Sequence, residues 1–174
     1  MKYVALLRGI NVGGRIIKMA DLQACFEGLG FKNVKTFLQS GNVLFESGAA
    51  DIAGLRQKLE TGVGESFSYP ARIFVYSLGW VREAASKYPF DASDEYFQHY
   101  VIFIEPDLAD DLVSDIVVSD PAIETFQTGD SVVYWRVQKG MTLKASSSKY
   151  MAKPKYKNAM TIRNLKTLHK ITSV

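Results

Sequence analysis

Only one cysteine, Cys25, occurs in the chain, so no disulfide can form within it. No apolar run approaches the roughly 18–20 residues that a membrane-spanning helix needs. The apolar start, Tyr3-Val4-Ala5-Leu6-Leu7, is interrupted by Arg8, and no small-residue cleavage site follows. That favours a buried first strand over a secretory leader. Together these absences predict a cytoplasmic protein. Carboxylates are missing altogether from residues 131–174, which hold 10 Lys/Arg, whereas residues 1–130 hold 11 Lys/Arg and all 18 Asp/Glu. The overall charge of +3 therefore splits into an acidic body and a basic tail. A tail that cannot neutralise itself must face acids of the body or an anionic partner.

What is present suits a globular α+β chain: 174 residues, 47% hydrophobic and 22% charged, are enough for one large domain or two small ones. Tyr3–Arg8 reads as a central strand, apolar on both faces. Leu22, Phe26 and Leu29 make a helical stripe over Met19–Leu29, with Gly30 as its cap. Val34–Gln39 and Asn42–Glu46 form a hairpin across Ser40-Gly41, Ile52–Phe67 is a second helix, and Ala71–Tyr76 a fourth strand. This βαββαβ order is the ferredoxin-like unit, with spatial order 4-1-3-2. After a connecting helix at Leu78–Tyr88 the pattern restarts: strand His99–Glu105, helix Asp107–Ile116, hairpin Ile123–Gln127 with Ser131–Val137. The remainder lacks an obvious crossover helix, and Arg163–Ile171 reads as a terminal helix with Leu165, Leu168 and Ile171 inward. The expected architecture is two ferredoxin-like halves, 1–77 and 98–174, joined by 78–97, the second half ending in a rearranged helical tail.

In such a unit the loop Arg8–Lys18 and the turn Gln39–Asn42 share one edge of the sheet. Gly13-Gly14 permits close backbone approach, and amides leading into a helix make an anion nest. Arg8, Arg15 and Lys18 add positive charge, while Asn11, Gln39, Ser40 and Asn42 add hydrogen-bonding groups. A rim of this kind suits a phosphate, a carboxylate or a nucleic-acid backbone. The competing structural reading is that Asn, Ser and Gly only satisfy turn geometry. Arg163 and Asn164, placed at the start of the terminal helix, form a second candidate anion contact, with Asn164 as a cap in the structural reading. Lys149 joins the candidate ligands as part of an irregular basic run, Lys144, Lys149, Lys153, Lys155 and Lys157, which Pro154 keeps from being one helix and which is expected to be exposed.

Sharper chemistry does not assemble. Gly9–Ile16 nearly fits a phosphate-binding loop, but Arg15 and Ile16 stand where its Lys and Ser/Thr belong. Ser146 and Lys149 match a Ser-x-x-Lys spacing without partner motifs. His99 and His169 have no second ligand nearby in sequence, so neither a metal nor another cofactor is implied. Ile102-Phe103-Ile104 matches the start of an RNA-recognition strand, but Pro106-Asp107 breaks the motif, and no basic-Gly-aromatic strand follows.

Three segments carry a resemblance. Ala5-Leu6-Leu7-Arg8-Gly9-Ile10-Asn11-Val12-Gly13-Gly14, then Gln39-Ser40-Gly41-Asn42-Val43, then Thr161-Ile162-Arg163-Asn164, resemble an uncharacterised bacterial family known only as a domain of unknown function. The resemblance implies a duplicated ferredoxin-like fold in a bacterial cytoplasmic protein, and no established activity. This chain has Ile162 and Leu165 where the family commonly has Thr and an aromatic. The expected function is non-catalytic binding of an anionic ligand, nucleic acid or a phosphorylated metabolite. The alternatives are an enzyme acting on a phosphorylated or carboxylated small molecule at the first rim, and a protein-interaction module.

Overall fold

The computed structural model describes residues 1–11 and 16–174. The chain divides into two compact units, Met1–Val81 with Lys170–Val174, and Arg82–His169. In chain order the first half contains β1 (Lys2–Arg8), α1 (Met19–Gly28), β2 (Lys32–Phe37), β3 (Asn42–Glu46), α2 (Ile52–Phe67) and β4 (Arg72–Ser77). α3 (Leu78–Ser86) follows, then β5 (Phe97–Ile104), a 3-10 turn at Pro106–Leu108, α4 (Ala109–Asp115), β6 (Glu124–Thr128) and β7 (Val132–Gln138). The remaining elements are α5 (Ser148–Met151), α6 (Pro154–Lys157), β8 (Met160–Asn164) and α7 (Leu165–Thr172). The strands form two antiparallel sheets of identical topology, β2-β3-β1-β4 and β6-β7-β5-β8. The fold is therefore α+β with two ferredoxin-like halves, as the pattern of apolar positions predicts. Among the described residues no helix is long and apolar enough to cross a membrane.

In the first unit, alternation on the strands sends Tyr3, Ala5 and Leu7 of β1, Val43 and Phe45 of β3, and Ile73 and Val75 of β4 to one sheet face. Leu22 and Phe26 of α1 and Leu55, Leu59 and Val63 of α2 pack against them. Phe45 anchors the aromatic part of this core, its ring 4.7 Å from Phe31, 5.6 Å from Phe26 and 5.7 Å from Tyr3. Val4, Leu6, Leu44 and Phe74, on the opposite face, are buried as well, which explains why β1 is apolar at every position from Tyr3 to Leu7. α1 stops where Gly30 takes φ +87°, and the Gly30 amide donates to the Glu27 carbonyl while that of Phe31 donates to Phe26. These two bonds and the Phe26–Phe31 ring contact form a Schellman cap, which needs the left-handed backbone that glycine supplies.

The second unit departs from expectation at its end. Met160–Asn164 is a strand, not the first turn of the terminal helix, and it pairs with β5 from Ile104↔Met160 to Tyr100↔Asn164. It completes the second βαββαβ unit. The helical period of Leu165, Leu168 and Ile171 is real, and all three are buried, but it does not extend backward through Arg163. Thr161 and Ile162 are β-branched and meet the unpaired side of β5, where the pairing outweighs local helix propensity. The place of the crossover helix is taken by two single turns, α5 and α6, separated because Pro154 opens α6. Ile102, Ile104, Val133, Trp135 and Val137 form the core with Leu112 of α4 and with Met151 and Tyr156 of the short turns.

Candidate functional site

At one end of the first sheet, β1 delivers Arg8, then Gly9, Ile10 and Asn11. Asn11 has a left-handed backbone (φ 54°), a conformation its short amide tolerates. Its Nδ2 donates to the Gln39 carbonyl at 2.7 Å, and its Oδ1 accepts the Ile17 amide at 2.7 Å. One side chain thus closes the loop and ties it to the β2–β3 turn. The turn is held from below as well: the Leu7 amide donates to the Gly41 carbonyl at 2.8 Å. Gly41 has φ +69°, and a Cβ there would lie 2.6 Å from Ile10 Cγ2, so no side chain fits. Gln39 and Ser40 are exposed on this turn, and Lys18 is exposed at the start of α1. Gly13, Gly14 and Arg15 lie outside the described residues. Asn42 is fully buried, its Nδ2 donating to the Phe37 carbonyl and to Ser40 Oγ, both at 2.9 Å, so its amide is used inside the turn.

Sequence reasoning overlooked Arg72. In the β1–β4 register Arg8 stands directly opposite Arg72. Because Leu7 and Ile73 point into the helix-covered core, Arg8 and Arg72 share the other face of the sheet. Arg72 is exposed, while Arg8 is half-buried, and burial pushes its guanidinium below its ordinary value. The signal was the strand register, which a single sequence does not reveal until β4 is aligned on β1.

In the second unit Lys144, Lys149, Lys153, Lys155 and Lys157 are all exposed. Lys155 Nζ meets Asp111 Oδ2 of α4 at 2.7 Å, a hydrogen bond that raises the ammonium above its ordinary value. Both partners are about half exposed, where such a pair adds little stability. Next to it the buried Tyr156 donates its hydroxyl to Asp115 Oδ2 at 2.6 Å, holding that carboxyl below the usual carboxylate range. These two bonds seat α6 on α4. The Lys149 and Lys153 ammonium groups lie 5.0 and 4.7 Å from the Tyr150 ring centre, within cation–π range. Among the described residues none of Lys144, Lys149, Lys153 and Lys157 joins an ion pair.

Arg163 and Asn164 end a strand instead of forming the first turn of the terminal helix. Arg163 lies in β8, buried, with Nη1 donating to Thr161 Oγ1 and to the Ile162 carbonyl at 2.8 Å each. Burial lowers its guanidinium to about 10. Asn164 caps α7, its Oδ1 accepting the Lys166 amide at 2.9 Å. Ser146 is not poised toward Lys149: its hydroxyl donates to Glu124 Oε1 at 2.6 Å. Glu124 is buried and also accepts the Ser147 hydroxyl (2.5 Å), the Ser147 amide (3.1 Å) and Trp135 Nε1 (3.3 Å). This carboxylate pins the Ser146-Ser147 loop to β6, a structural use of the serine run. Cys25 packs half-buried with Sγ 3.4 Å from Ser66 Oγ. Among the described residues no three His, Cys, Asp or Glu side chains come together as metal ligands. Phe103 and Trp135 are buried in the sheet, so neither offers a base-stacking surface of the RNA-recognition kind.

The comparisons with other proteins agree with this fold. The conserved bacterial protein SP0830 from Streptococcus pneumoniae is similar in structure, with a TM-score of 0.79 at 28% sequence identity, over 99% of this chain and 97% of that one. No curated protein matches the chain. The model of a family described as a protein of unknown function, DUF1697, matches residues 1–134, a stretch that holds the first rim and ends just short of the basic segment. The chain belongs to the DUF1697 family.

Proposed function

We propose that this protein binds a phosphate-bearing anionic ligand, that nucleic-acid backbone is the class it takes, and that the basic segment of the second unit makes the contact. The observation that carries this reading is the exposure of five lysines between residues 144 and 157, only one of which is ion-paired among the described residues. Like charges gathered this closely repel, and a chain of phosphates relieves the repulsion while releasing its own counterions. Tyr150 has lysine ammonium groups against its ring, and Phe103 and Trp135, the aromatics nearest to an RNA-recognition pattern, are buried. Contact therefore falls on phosphates rather than bases, and binding is independent of sequence. No bond-making step is required of any residue. Fluorescence anisotropy with mixed-sequence single-stranded RNA and DNA tests the reading. Binding to both at low salt, lost when Lys144, Lys149, Lys153, Lys155 and Lys157 are changed to Gln, supports it; no binding at low salt removes it.

A second reading rests on a separate observation, the Arg8–Arg72 pair beside the Asn11–Gln39 bond. Two guanidinium groups on one sheet face suit a small phosphorylated or carboxylated molecule, with Lys18, Gln39 and Ser40 as further candidate contacts; Gly13, Gly14 and Arg15, expected in the same rim, lie outside the described residues. An enzyme acting there remains within this reading. Thermal shift with inorganic phosphate and a panel of phosphorylated metabolites, compared between wild type and Arg72→Ala, separates it from the first.

A further inference from the structure

The chain has two histidines, His99 and His169, 70 positions apart, and both line one recess of about 480 Å³ in the second unit. That volume lies within the range of small-molecule sites, roughly 300–1,000 Å³. Its walls come from three places. The turn Ala92–Glu95 and the start of β5 supply Asp94, Glu95, Phe97 and His99. Lys139 follows the end of β7, and the first turns of α7 supply Lys166 and His169, which share a helix face at i, i+3 spacing.

His99 is the fixed part of this recess. It is buried, its Nε2 donates to the Asp94 carbonyl at 3.1 Å, and its Nδ1 lies 3.1 Å from the Tyr88 hydroxyl. Tyr88 donates in turn to the Trp135 carbonyl at 3.1 Å, so the imidazole is held against the body of the sheet. The charged groups are arranged differently. Lys139 follows the end of β7 and Lys166 comes from α7, whereas Asp94 and Glu95 belong to the turn before β5, and among the described residues neither lysine pairs with either acid. Charges of opposite sign are thus presented to one space without neutralising each other. Phe97 and Leu165 supply apolar surface between them.

We infer that this recess binds a small zwitterion of the α-amino-acid class, its carboxylate taken by Lys139 and Lys166 and its ammonium by Glu95 and Asp94. A simple anion would leave the acidic wall unmatched and repelled, and a simple cation would meet the two lysines; a molecule carrying both charges satisfies both. The recess shares no lining residue with the basic segment or with the candidate residues of the first-unit rim.

Because both histidines line the recess, the imidazole signals of a proton–nitrogen correlation spectrum report on it directly. The full chain is titrated with L-glutamate, L-lysine and glycine, and separately with inorganic phosphate and with methylamine, at constant pH and ionic strength. The expected result is a saturable shift of the His169 signals with at least one amino acid, smaller or absent with phosphate and methylamine. Lys166→Ala and Glu95→Gln each weaken binding by about tenfold or more. Lys35→Gln, an exposed position of β2 that does not line the recess, leaves it unchanged. All three substituted residues are exposed, so the variants are expected to fold, and the backbone amide spectrum verifies this. The inference is overturned if no amino acid moves either histidine. It is equally overturned if phosphate alone reproduces the shift with Glu95→Gln having no effect, which would mark a plain anion site.

Discussion

Arg8, the last residue of β1, and Arg72, the first residue of β4, are directly opposed across an antiparallel pair and share a sheet face. Like charges in that relation cost about 0.2–1 kcal/mol. Arg72→Gln is therefore expected to stabilise the protein without ligand by that amount in urea denaturation at low salt. The gain shrinks as salt screens the pair. The same variant should lose any stabilisation that inorganic phosphate gives the wild type. A uniform loss of stability at all salt concentrations would show that Arg72 serves packing instead.

Asn11 holds two backbone groups, the Gln39 carbonyl 28 residues further along the chain and the Ile17 amide 6 residues further along. Asn11→Ala removes both bonds and places a Cβ-bearing residue without a compensating amide at φ 54°. The expected cost is about 1–3 kcal/mol. Asn11→Gly relieves the backbone but not the bonds, and should fall between wild type and Ala in chemical denaturation. Equal stability of all three would remove the tie from the account.

Much of this arrangement is legible in the sequence. Period-2 apolar runs and turn residues give the order of the first half, and that order brings the first loop to the Gln39–Asn42 turn. Asn42 was legible as a turn residue but not as a buried one, because burial follows from its place opposite Leu6 on β1. Arg163 was misplaced for a related reason. A five-residue strand with alternating polar positions carries a weak local signal, and the strong period of Leu165, Leu168 and Ile171 draws the helix over it. Pairing with β5 decides the outcome, and pairing is a long-range property. Glu124 escaped notice because its donors, Trp135, Ser146 and Ser147, are 11 to 23 residues away.

That buried carboxylate offers a stability test. Glu124→Gln keeps the shape but replaces an acceptor oxygen by a donor among groups that donate. Bonds to a charged acceptor are worth about 1.5–3 kcal/mol each, so the loss should reach about 2 kcal/mol or more. Ser146→Ala, which removes one donor from a half-buried position, should cost less.

The Tyr156–Asp115 bond predicts an acid dependence. The bond lowers the Asp115 carboxyl below its ordinary value in the folded chain. A group lowered in this way contributes stability above its unfolded value, about pH 3.9, and the contribution disappears as the pH falls through the folded value. The stability difference between wild type and Tyr156→Phe should therefore be constant from neutral pH down to about pH 5 and shrink below about pH 4. A difference that grows as acid is added would contradict the bond.

The salt dependence of nucleic-acid affinity tests the central claim most directly. For single strands the logarithm of the binding constant falls against the logarithm of salt concentration with a slope of about 0.7 per phosphate neutralised. If the basic segment is the contact, the wild type shows a slope of about 2–3.5, reflecting three to five engaged lysines, and each lysine changed to Gln lowers it by about 0.7. A slope that survives the loss of Lys144, Lys149, Lys153, Lys155 and Lys157, or affinity that does not respond to salt, would contradict it.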